Sequence, residues 1–147
     1  MRRFALYLAI AFMTGPMDWA SAADMPAPSA PPNLTAARAK IKIKDFAGAL
    51  ALMRPLLDDY KDADLYNLMG FSLRKTGDQK QAFVYYRKAL DLKPDHLGAL
   101  EYQGELFVET GQINQARENA AHLKKLCPKG CEQLEDLEAA IAKAPKS

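Results

Sequence analysis

Residues 63–96 read ADLYNLMGFSLRKTGDQKQAFVYYRKALDLKPDH, and residues 97–130 read LGALEYQGELFVETGQINQARENAAHLKKLCPKG. Laid one beneath the other, they match Gly70 with Gly104, Gly77 with Gly111, Ala82 with Ala116 and Pro94 with Pro128, each pair 34 residues apart. A fixed period of this length marks a solenoid, because one such unit cannot bury its apolar face alone and must stack on its neighbours. Within 63–96, Tyr66, Met69, Gly70 and Leu73 fall on one face of a first helix, and Thr76-Gly77-Asp78 makes a turn. Ala82, Tyr86, Ala89 and Leu90 then recur at helical spacing on a second helix, which Pro94 closes. Gly70 and Ala82 are small, as two closely crossing helix axes require. The spacing predicts an all-α fold of antiparallel helix pairs.

Before the two regular units, residues 33–62 form a degenerate one. Asn33 is expected to cap its short first helix, and Phe46, Ala49, Leu50, Met53, Leu56 and Leu57 mark its second. Pro55 inside that second helix is expected to bend it or break its hydrogen bonding. After Cys131, Leu134, Leu137 and Ile141 at i, i+3 and i+7 predict a last amphipathic helix over Glu132–Ala142, covering the open end of the stack. Asp95 is expected to cap the helix that begins the second regular unit, with His96 beside it at the surface.

An aromatic at position 4, Gly at 8 and 15, Ala at 20, an aromatic at 24, Ala at 27 and Pro at 32 resemble the tetratricopeptide repeat. Tyr66, Gly70, Gly77, Ala82, Tyr86, Ala89 and Pro94 carry that pattern in 63–96. The next unit keeps Gly104, Phe107, Gly111, Ala116 and Pro128 but has Leu100, Ala120 and Leu123 where the family has an aromatic, an aromatic and alanine. The resemblance implies a TPR-type α-solenoid of antiparallel helix pairs with a C-terminal capping helix. It divides the chain into a repeat domain over 33–142, made of units 33–62, 63–96 and 97–130 and a cap at 131–142, with a tail at 143–147. The whole also resembles small exported bacterial tetratricopeptide proteins that end in a Cys-x-x-x-Cys segment.

The N-terminus reads differently. Arg2 and Arg3 precede an apolar run from Phe4 to Met13, and Ala20-Ser21-Ala22 supplies the small residues of a cleavage site. That layout predicts a signal peptide over 1–22, cleaved after Ala22, and export to the bacterial periplasm. An apolar run of about ten residues is too short to span a bilayer, so no stable membrane span is expected after cleavage. Residues 23–32, rich in proline, are expected to be a linker. Cleavage removes Trp19, the only tryptophan, and takes the formal charge from +2 to +1. A chain so balanced carries no electrostatic footprint for nucleic acid. It shows no phosphate loop, no nucleophile elbow and no His/carboxylate metal cluster, so neither enzymatic activity nor a cofactor is expected.

In the family, positions 2, 5, 9, 12 and 13 of each repeat face a concave groove where protein or peptide partners lie. Carried over, these are Asp64, Asn67, Phe71, Arg74 and Lys75, then Gly98, Glu101, Glu105, Val108 and Glu109, with Arg38 and Lys42 in comparable places of the first unit. The groove is expected to be basic toward the N-terminal side and acidic toward the C-terminal side. Asn67 is suited to a peptide backbone and Arg74 to a carboxylate. Alternatively, Arg74 pairs internally with Glu101 or Glu105. Charge reversal of Arg74 together with Glu105 is expected to abolish binding without unfolding the chain. Self-association through the solenoid ends is a further possibility.

Cys127 and Cys131 are an even pair in a compartment that permits disulfides. Three uses remain open. They can form a disulfide fastening the capping helix, a redox-active pair, or soft ligands for Cu(I) with His122 five residues upstream. Cys-x-x-x-Cys also occurs in copper-handling proteins of thioredoxin fold, but no strand pattern here supports that fold.

Overall fold

The structure, a computed structural model, describes residues 30–145. The signal-peptide and cleavage-site expectations, and most of the linker, fall outside the described residues. Within them the fold is all-α: α1 (Thr35–Lys42), α2 (Phe46–Met53), α3 (Leu56–Asp59), α4 (Ala63–Lys75), α5 (Gln79–Leu92), α6 (Leu97–Glu109), α7 (Ile113–Leu126) and α8 (Glu132–Lys143). The pairs α1/α2, α4/α5 and α6/α7 pack on one another in chain order, and α8 lies against both α6 and α7. This is the expected α-solenoid.

Local chemistry sets the helix ends. Asn33 accepts the Thr35 N–H (3.1 Å), and α1 begins at Thr35, one residue later than expected. Asp45, Asp62 and Asp78 accept N–H groups of the first turns of α2, α4 and α5. The Pro55 expectation is met: α2 stops at Met53, Arg54 stays helical as its C-cap, and Pro55 stands at the N-cap of α3. At the ends of α4 and α6, Gly77 (φ 93°) and Gly111 (φ 75°) adopt the left-handed conformation. There the Asp78 N–H reaches back to the Leu73 carbonyl (2.9 Å) and the Gln112 N–H to that of Phe107 (2.7 Å). Glycine takes this conformation without penalty, so the equivalent turns fall one period apart.

The α6 cap corrects one expectation. His96, not Asp95, is the N-cap: its Nδ1 accepts the Ala99 N–H at 3.1 Å, and its Nε2 lies 3.0 Å from Asp64 Oδ1. Since Nδ1 accepts, Nε2 must carry the proton that Asp64 receives. Replacing His96 with alanine is expected to cost ~0.5–2 kcal/mol. Faster hydrogen exchange at the Ala99 amide, with His96→Asn keeping protection, is the check.

Two apolar clusters form the core. One joins Leu50, Met53, Leu65, Met69, Ala82 and Tyr86 across the first two pairs, and the other joins Leu100, Ala116, Ala120, Leu123, Leu134 and Leu137. In the middle pair a Cβ on Gly70 would stand 2.7 Å from the Tyr86 ring, so glycine lets the aromatic at position 24 cross the first helix. The next pair has Ala120 at that position and no aromatic to place there. Leu137 of α8 comes in instead, and a Cβ on Gly104 would meet Leu137 Cδ1 at 2.7 Å. The terminal helix thus supplies bulk that the third pair lacks.

Candidate partner-binding surface

The expected groove residues lie on α1, α4 and α6; α4 and α6 touch each other, and α8 continues the row beside α6. Phe71 of α4 is half-buried between Phe46 of α2 (ring centroids 5.9 Å apart) and Tyr102 of α6 (4.7 Å). Lys75, exposed, reaches over the Phe71 ring at 5.3 Å. Tyr102 belongs to this aromatic row but was absent from the sequence-derived set. Its signal was faint, since position 6 has no place in the family pattern.

The cations are largely taken up internally. Arg38 pairs with Asp64 at 2.6 Å, with both side chains half exposed, and such a pair contributes only ~0–1 kcal/mol. Arg74 is different. Its side chain is 5% exposed, and it contacts Glu105 at 2.5 Å, Glu109 at 3.2 Å and the Tyr102 carbonyl at 3.0 Å. Burial works against its charge, but the hydrogen bond to Glu105, with the fields of Tyr86, Glu105 and Glu109, raises its pKa overall. The internal alternative is therefore the geometry found, with Glu105 as partner and not Glu101. The combined charge reversal is unsuited as a groove test, because it would aim a carboxylate at the Tyr102 carbonyl in an enclosed place. Burial pushes the neighbouring Tyr86 phenol up as well. Lys42, at the end of α1, and Lys75 are the exposed cations of the set that have no ion pair among the described residues.

Asn67 is buried, with its Oδ1 enclosed and without a hydrogen-bond partner. Its Nδ2 lies 3.1 Å from where a Cβ on Gly98 would be, so position 5 of one pair abuts position 2 of the next. Glu101, the following position 5, is 6% exposed and has no hydrogen bond or ion pair among the described residues. Burial, with the fields of Glu105, Asp136 and Glu132, pushes its carboxyl up to about 8, against a weaker opposing pull from Arg74. Glu132 and Asp136 come from α8, and the groove assignment by repeat position had stopped short of that helix.

This shift has a sign for stability. From about 4.5, the ordinary value, up to about 8, folded Glu101 holds a proton that the unfolded chain has released. Stability therefore falls across that window as pH rises and levels off above it. Glu101→Gln is expected to flatten this slope and to exceed the wild type in stability above pH about 8, as urea titrations at several pH values would measure.

The sulfurs of Cys127 and Cys131 stand at disulfide distance, with Cα atoms 5.9 Å apart, between the C-cap of α7 and the N-cap of α8. Among the described residues no three His, Cys, Asp or Glu side chains are grouped to hold a metal ion, and no helix is long and apolar enough to cross a membrane.

Residues 63–96, spanning α4 and α5, match the family model of the tetratricopeptide repeat. No curated protein matches the chain. Repeats of this family generally mediate protein–protein interaction and are typically non-catalytic. With the stacked helix pairs, the match identifies the fold as an all-α tetratricopeptide solenoid.

Proposed function

We propose that this chain is a non-catalytic adaptor or assembly factor of the bacterial periplasm. It takes a peptide segment of a partner protein along the face shared by α4, α6 and α8. The observation that carries this reading is the half-buried Phe71–Tyr102 stack under Lys75, an apolar strip with a charged edge on the helices that face partners in this family. Aromatic anchors beside polar contacts are what extended-peptide recognition uses. The signal-like N-terminus and the cysteine pair at disulfide distance support the exported location. Absence of indole fluorescence from protein recovered in a periplasmic fraction would check cleavage, since Trp19 is the only tryptophan.

The test is co-purification in the native host with a tag at Ser147, beside Phe71→Ala and Lys75→Glu variants. Partner recovery is expected to drop in both while circular dichroism stays unchanged. Equal recovery from all three chains would reject this face.

The thiol reading of Cys127 and Cys131 stands second. Cys131 occupies the N-cap of α8, where the helix dipole favours a thiolate, but Glu132 and Glu135 in the same first turn oppose it. A structural link is favoured on that balance. Thiol titration is expected to find a disulfide that resists mild reductants; ready reduction or stoichiometric Cu(I) would support the second reading instead.

A further inference from the structure

The last seam of the solenoid differs from the others in its charges. Cys131 follows Leu97 by 34 residues, so α8 continues the repeat register, with Glu132 in the place of Gly98 and Asp136 one turn further on. At the preceding seam, position 5 of one unit and position 2 of the next hold Asn67 and Gly98 in neutral contact. At the last seam both are glutamates, Glu101 and Glu132. Acids elsewhere along this face have their cations: Asp64 has Arg38, and Glu105 and Glu109 share Arg74. Glu101, Glu132 and Asp136 have no ion pair among the described residues. Glu101 is 94% covered, yet its carboxylate oxygens are not among the fully enclosed unpartnered polar atoms, so they keep some contact with solvent.

Burying a carboxylate among other carboxylates is unfavourable when the nearest cation, Arg74, is already taken up by Glu105 and Glu109. The arrangement becomes favourable when a positive group arrives. A small metal ion needs ligands converging on one point, and no such convergence exists among the described residues. A guanidinium or ammonium on a long stem tolerates wider spacing and can enter from a bound chain.

We propose that Glu101, Glu132 and Asp136 form a receptor for one arginine or lysine side chain of the bound protein segment. This rests on the partner-binding reading of the same face. The held proton on Glu101 supports it and supplies a signature. Near pH 7 the empty seam keeps Glu101 protonated, so a cation entering it must expel a proton.

The experiment pans a random dodecapeptide display library in parallel on the wild-type chain and on the chain carrying Glu101→Gln, Glu132→Gln and Asp136→Asn. Thermal melting by circular dichroism confirms that the variant folds; Gln mimics the protonated acid already present at position 101. Expected are peptides with Arg or Lys fixed at one position, retained by the wild type and weakened at least about tenfold by the variant. Calorimetry of one such peptide in phosphate and in Tris buffer at pH 7 should show proton release by the wild type and none by Glu101→Gln. Enriched peptides without a basic preference, or equally bound by the variant, overturn the receptor but leave the face as a binding surface. If neither chain enriches any peptide, the receptor and the partner-binding reading both fall. A saturable thermal shift with calcium chloride, lost in the variant, would overturn the side-chain assignment in favour of a metal.

Discussion

Leu137→Ala is expected to lower the unfolding free energy by ~2–5 kcal/mol, a large fraction of the 5–15 kcal/mol typical of a domain. Leu137 is fully buried on α8 and fills the space above Gly104, against Leu100, Ala116, Ala120 and Leu123. Truncation opens a cavity there, because the third pair has no aromatic to move in. If this is the cause, a larger residue from the pair itself should restore part of the loss. Leu137→Ala with Ala120→Leu is expected to be more stable in urea than Leu137→Ala alone. Equal instability of the two variants would mean that α8 stabilises by some other contact. A disulfide between Cys127 and Cys131, next to this helix, would close a very small loop and contribute ~2 kcal/mol at most on the chain-entropy estimate. Reduction of that bond is therefore expected to cost less than the Leu137 truncation, with apolar insertion holding the cap more firmly than a covalent link would.

Arg74→Ala is expected to destabilise by ~3–5 kcal/mol, because it strips the cation from Glu105 and Glu109 and removes the guanidinium donor from the Tyr102 carbonyl. Removing both charges should be far milder. Arg74→Met with Glu105→Leu replaces a buried pair by apolar groups of similar volume, and such exchanges are often neutral. A double-mutant cycle by denaturant titration separates the pairing from the burial cost. Near-zero loss for Arg74→Ala would show that this guanidinium is solvated and available to a partner, as the sequence alone allowed. The result bears on function, since a cation spent on α6 cannot also grip a ligand carboxylate. Among the described residues the unpaired charges on this face then lie with Lys42 and Lys75 on one side and with Glu132 and Asp136, beside the protonated Glu101, on the other.

Several elements of this chain could be read before any coordinates. Gly77 and Gly111 occupy equivalent turns because a left-handed residue is needed after each first helix. Gly70 is small because an aromatic crosses it, and Pro55 breaks its helix because it lacks an N–H. Each rests on local backbone geometry or on the helical period, and both are written in consecutive residues. The 34-residue repeat then carries the stacking, since a unit that recurs with the same apolar face meets its neighbour in the same way.

Other elements belong to distances across helices. His96 displaced Asp95 as a cap because its ring also reached Asp64, 32 residues away. Arg74 chose Glu105 over Glu101 according to where α6 lies against α4. Glu101 lost its expected role as a partner of Arg74 and gained Glu132 and Asp136 as neighbours from a helix that the repeat pattern treats only as a cap. The sequence by itself determined the helices, their turns and their order in the stack, because these follow from contacts within a few residues and from the repeat. Only the tertiary structure decided which charges are neutralised, which stay uncompensated and which side chain completes the third pair. Those outcomes depend on ångström-scale approach between elements far apart in the chain, where electrostatic and packing energies change most steeply with distance.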